Sequence, residues 1–120
     1  MNTFAPLAAE GFDVATALQQ LAGSEKLYLS VLTKFVAMYQ DLPDVIRADL
    51  EKGDLVKVRR DAHTIKGLAG TLGHGALREA ALQLEHSAAA ENAAECVQNL
   101  AAFRDVFSRV LGSVQNVVNA

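Results

Sequence analysis

From Cys96 to Val117 one pattern runs without a break. Cys96, Leu100, Phe103, Phe107, Val110, Val114 and Val117 follow one another at alternating steps of four and three. A helix turns about 100° per residue, so these side chains share one face, whereas a strand would scatter them over both of its faces. An apolar stripe of this length has to be covered, and helices are the natural cover. Asn92, with Glu95 three residues on, resembles a capping box at its start. The repeat also suits a coiled-coil seam, but an intramolecular bundle satisfies it equally well.

The rest of the chain reads as helices with turn signals between them. Asp13 can cap a short helix carrying Val14, Ala17, Leu18 and Leu21, ended by Gly23. Ser24 can cap the next, in which Tyr28, Leu32, Phe35, Tyr39 and Leu42 recur at helical spacing. Pro43 interrupts that stripe while Ile46 and Leu50 continue it, which predicts either a kinked helix or two short ones, closed by Gly53. Asp54 can cap a helix running to about Leu72, and another begins near Ala76 and fades between Ser87 and Glu91. No alternating-polarity strand interrupts the series. The expected fold is all-α, an antiparallel up-and-down four-helix bundle with a short extra N-terminal helix, occupying residues 12–120 behind a flexible segment at 1–11.

Composition narrows the function. At 120 residues and 51% hydrophobic content the chain has enough for one domain with one modest core. A net charge of −3 and a pI near 5.5 argue against general nucleic-acid binding. No apolar run reaches the roughly 18 residues of a membrane span, and the start lacks the pattern of a secretory signal. The single cysteine, Cys96, fits a reducing compartment and falls on the apolar stripe of the last helix, where it is expected in the core. Met38, the aromatic residues and most leucines likewise read as packing. A cytoplasmic location is expected, without direct membrane contact. Charge is uneven, however: residues 52–66 hold Lys52, Lys57, Arg59, Arg60 and Lys66 against only Asp54 and Asp61. Such a face is either simply solvated or built to meet an acidic partner or a phosphate.

His63 lies within this basic stretch. Leu55, Val58, Ala62, Ile65, Ala69 and Leu72 form the core stripe of its helix, and His63 points roughly 130° away from the stripe's centre. Its ring should face solvent. Gly67 and Gly70, four and seven residues on, would leave the surface beside the ring bare, although a glycine inside a helix costs about 0.5–1 kcal/mol relative to alanine. Something is expected to approach closely there. Lys66, one turn from His63, lies within reach of anything bound to the imidazole.

A second partner follows from the turn. Gly73-His74-Gly75 breaks the helix, and an antiparallel hairpin centred on His74 places His63 and Glu85 at equal height, each about 16 Å from the turn. Glu85 follows Leu84 of the next helix's core stripe as His63 follows Ala62. A carboxylate at that position could accept the Nδ1 proton, fix the tautomer and leave Nε2 free as a nucleophile.

Other chemistries fit less well. The glycines from Gly67 to Gly75 lack the order, the preceding strand and the Gly-Lys-Ser/Thr ending of a nucleotide loop, so no ATP site is expected. His63, His74 and His86 are spaced by eleven and twelve residues, which does not make a compact ligand set, and no metal is expected. No serine or cysteine triad is legible.

The run Ala62-His63-Thr64-Ile65-Lys66-Gly67-Leu68-Ala69-Gly70-Thr71-Leu72-Gly73 resembles the signature of the histidine-containing phosphotransfer (HPt) domain of bacterial phosphorelays, and the helix order from Phe12 onward is also similar. The resemblance implies that His63 accepts a phosphoryl group from a receiver domain's phospho-aspartate and passes it to another receiver. It implies that Lys66, with Arg59 on a nearby row, attends the phosphoryl group, that Glu85 of the Leu84-Glu85 pair orients the ring, and that Gly67, Gly70 and Arg60 belong to the docking surface. It further implies a phosphoryl carrier and not an enzyme, with no cofactor of its own and Mg²⁺ held by the receiver. The implied partners are response-regulator receivers and a hybrid sensor histidine kinase, with the domain monomeric and either free or the cytosolic module of a membrane-anchored kinase. Phe12-Asp13 through Leu21-Ala22-Gly23-Ser24-Glu25 looks most like the C-terminal module of such a kinase. The N-terminal phosphotransfer domain of a chemotaxis-type kinase is a competing resemblance, but it typically carries a histidine where this chain has Leu82. Leu68 stands where the family can carry a polar residue, which bears on receiver choice. Two further alternatives are a plain helical interaction module and a phosphate-binding regulator that is never phosphorylated.

Overall fold

The computed structural model describes residues 3–120, and the described residues form helices and no strand. The helices are α1 (Ala5–Ala9), α2 (Val14–Gln20), α3 (Glu25–Tyr39), α4 (Leu42–Glu51), α5 (Leu55–Leu72), α6 (Gly75–Ala89) and α7 (Ala93–Val118). None is long and apolar enough to cross a membrane.

Most starts are set by side chains that satisfy the free N–H groups of a first turn. Asp13 accepts from the Thr16 N–H, Ser24 from Leu27, Asp54 from Lys57 and Asn92 from Glu95. The capping box expected at α7 takes a different form. Glu95 accepts from the Asn92 side-chain amide at 3.1 Å, because the Asn92 backbone N–H is already committed to the Ser87 carbonyl. Of the two outcomes open at Pro43, the structure takes the second: α3 ends at Tyr39, and Pro43 sits in the first turn of a separate α4. A missing N–H is harmless there, since first-turn donors have no partner within the helix.

The segment expected to be flexible at 1–11 is largely a packed element. Its first two residues lie outside the described ones, but α1 forms from Ala5 and lies against α7. Pro6 starts the turn, and Leu7 and Phe4 are buried, with the Phe4 ring edge-on to Tyr28 at 5.1 Å. Two apolar side chains placed three residues apart were enough to anchor a single turn, given a core to enter.

The stripe of α7 is buried along its whole length, Cys96 included, and α7 contacts α1, α3, α4 and α6. Phe35 of α3 and Phe103 of α7 each lie 5.4 Å from the Phe107 ring. Burying each such ring contributes about 1.5–3 kcal/mol. The most extensive pairing is α5 on α6, an antiparallel hairpin. Asp49, Lys57 and Asp61 fasten α4 to α5: the Lys57 ammonium donates to Asp49 at 2.7 Å and to Asp61 at 3.2 Å. Both carboxylates, Asp49 foremost, raise the Lys57 pKa. Lys57 therefore leaves the basic cluster and serves the fold.

Candidate functional site

The middle of the α5–α6 hairpin carries the site. His63 points outward, its side chain 67% exposed, because its neighbours Ala62 and Ile65 take the inward positions on α5. Across the hairpin, His63 Nδ1 lies 2.6 Å from Glu85 Oε2. Lys66 Nζ donates to the other carboxylate oxygen, Oε1, at 2.7 Å. His63 and Glu85 stand eleven residues on either side of His74, so the turn sets their common height.

The charges of this trio determine the tautomer. Glu85 is only 13% exposed, and burial alone would push its carboxyl up; the hydrogen bonds from Lys66 and His63 outweigh that and hold it below its ordinary value of 4.5. An ionised carboxylate can only accept, so the proton between the two groups sits on Nδ1. In the neutral ring Nε2 then carries the lone pair, and it makes no hydrogen bond to a described residue. The arrangement presents an oriented nucleophile to solvent, with a half-buried anion behind it to match any positive charge that develops on the ring.

Two recesses meet at His63. One, of about 380 Å³, lies between α5 and α6 and is lined by Val56, Arg59, Arg60 and Glu85. Arg59 and Arg60 are exposed and form no ion pair with a described residue, so they are the free cations of the basic stretch that line this recess. Lys66 is already engaged by Glu85. The other recess is an apolar groove of about 520 Å³ between α3 and α5, reaching Gly67, Leu68 and, from α3, Val31, Phe35 and Met38.

The two glycines of α5 part company. A β-carbon at Gly67 would meet nothing within 4 Å, so its surface is open space beside the ring. A β-carbon at Gly70 would touch the Arg78 side chain at 3.9 Å, and Gly70 borders a different recess near the turn. The structure brings His63, Lys66, Glu85, Arg59, Arg60 and Gly67 together and leaves Gly70 apart, partly covered by the Arg78 stem. Reasoning from sequence missed the α3 wall. Met38, read there as packing, is 67% exposed. The signal was present: Val31 and Met38 are apolar, a heptad apart and off the buried Tyr28-Leu32-Phe35 stripe.

His74 shows how differently a second histidine can be used. It is buried, its Nδ1 accepts the Leu77 N–H at 3.0 Å, and its Nε2 donates to the Glu10 carbonyl at 3.1 Å. Both ring nitrogens are occupied, and the ring caps α6.

No curated protein and no solved structure matches the chain significantly. A family model does, over residues 30–113, which includes His63, Lys66, Gly67 and Glu85 within an all-helical frame. By that match to the Hpt domain, the chain belongs to the Hpt family, the histidine phosphotransfer domains of phosphorelays.

Proposed function

We propose that His63 is the phospho-accepting residue of a phosphorelay carrier. The reading rests above all on one observation: an exposed imidazole whose Nδ1 is tied to Glu85 and whose Nε2 is unengaged. The Nε2 lone pair attacks the phosphorus of a receiver's aspartyl phosphate. The N–P bond forms as the bond from phosphorus to the aspartyl oxygen breaks, and the aspartate leaves as a carboxylate. The ring gains positive charge, which Glu85 offsets through Nδ1–H. The reverse step delivers the phosphoryl group to a second receiver.

Arg59 and Lys66 offset charge on the transferred group, and Arg60 and Gly67 belong to the docking face, with Gly70 at its far margin. The apolar α3–α5 groove widens that face. In this reading α3 with α4, α5, α6 and α7 make an up-and-down antiparallel bundle, monomeric and in the cytoplasm, that carries phosphate without a kinase centre. The Mg²⁺ for the reaction stays in the receiver's acidic pocket, and the domain needs no cofactor of its own. Its partners are receiver domains and a hybrid sensor kinase, of which it is most like the C-terminal module.

Incubation with phosphorylated receiver domains tests the proposal. The chain should acquire acid-labile, base-stable phosphate at His63. No labelling by any receiver of the source organism would overturn it.

A further inference from the structure

The groove beside His63 carries one charge that the reaction does not use. Lys34 lines it from α3, among Val31, Phe35, Met38 and Leu68. No carboxylate, arginine or second lysine joins it in that lining, and it forms no hydrogen bond or ion pair with a described residue. Its helical neighbours at three and four residues are Ser30, Val31, Ala37 and Met38, so no carboxylate on α3 stands ready to neutralise it. The facing positions on α5, Thr64, Gly67, Leu68 and Thr71, bring no carboxylate either. An uncompensated ammonium at the rim of an apolar groove favours a partner with an acidic group there and penalises one with a basic group. Lys34 is exposed, and a partner that covers the groove weakens solvent screening of its charge and enlarges both effects.

We propose that Lys34 selects among receiver domains, by pairing with a carboxylate that borders an apolar patch on the receiver's docking surface. The proposal rests on the reading of His63 as the phospho-acceptor, since the groove is continuous with the ring through Thr64 and Gly67. Lys34 touches no reacting atom, so it acts on docking and not on chemistry. Its stem covers apolar surface whatever partner arrives, and only its head discriminates.

The test measures phosphotransfer from each phosphorylated receiver of the source organism to the wild type, Lys34→Glu and Lys34→Arg, with circular dichroism as the folding check. For receivers the wild type prefers, Lys34→Glu should raise the half-saturating receiver concentration roughly tenfold, with the maximal rate unchanged. The preference order among receivers should change, the dependence on salt should flatten, and Lys34→Arg should behave as wild type. Equal effects on every receiver, a fall in maximal rate, or no effect at all would overturn the selectivity role while leaving His63 in place. Absence of labelling in the wild type would instead remove the carrier reading on which it stands.

Discussion

His63 and His74 lie on one hairpin, and their surroundings are opposites. At His63 the ring is exposed, one nitrogen is unengaged, and the nearby Gly67 faces empty space. At His74 the ring is buried, both nitrogens are bonded, and the adjacent Gly73 has no room. Gly73 adopts φ +87°, a β-carbon there would stand 2.7 Å from the Asp13 carbonyl oxygen, and its own carbonyl accepts the Asp13 N–H at 2.8 Å. Beside it, Tyr28 donates from its hydroxyl to the Leu72 carbonyl at 2.7 Å, and burial pushes the Tyr28 pKa up to about 12. Polar groups at the turn are spent on each other; those at mid-helix are held ready for something else. The same residue types thus serve the fold in one place and, in the proposed reading, chemistry in the other, and exposure separates the two uses.

The largest expected effect divides the histidines outright. His63→Gln should abolish labelling by phosphorylated receivers with thermal stability unchanged, because the ring contributes little to the core. If the variant still labels, the acceptor lies elsewhere and the contrast collapses.

Gly73→Ala should do the opposite. The left-handed backbone and the close Asp13 carbonyl should together cost more than about 2 kcal/mol, read from denaturant unfolding, while the folded fraction still accepts phosphate. A cost below about 0.5 kcal/mol would show that the turn gives way easily.

Glu85→Gln should slow transfer on the order of tenfold by weakening the hold on Nδ1, with helicity retained. The same residue predicts a pH dependence. Its folded pKa lies below 4.5, so between those values the unfolded chain binds the extra proton and stability rises with pH. The stability advantage of wild type over Glu85→Gln should be complete above the ordinary carboxylate pKa and disappear as pH falls through the depressed one. An advantage that persists in stronger acid would mean that the charge of Glu85 is not its source.

The smallest effect sharpens the comparison of glycines. Gly67→Ala should stabilise the domain by about 0.5–1 kcal/mol, the helical preference for alanine, since its methyl meets nothing. Gly67→Leu should keep that stability and raise the receiver concentration needed for transfer. A loss of stability in either variant would place Gly67 with Gly73 as a residue the fold requires.

Much of this was legible in the chain itself. The stripes on α5, α6 and α7, the caps at Asp13, Ser24, Asp54 and Asn92, and the equal height of His63 and Glu85 all follow from periodicity and counting. These are local properties, and a helix converts sequence spacing into position with little help from the rest of the molecule. Other features escaped for the converse reason. Phe4 and Leu7 look like a loose tail until a core is there to receive them. Lys57 looks like one more docking cation until Asp49 arrives from α4. Met38 looks like packing until α5 lies beside α3 and leaves it uncovered.

Sequence alone therefore determined the helices, their inward faces and the residues at the centre of the hairpin, because each depends on neighbours within a few turns or on symmetry about one bend. Tertiary structure alone decided which charges are free, which apolar groups stay exposed and which glycine has empty space before it. Those depend on what another helix brings within a few ångströms, and no spacing along the chain encodes that distance.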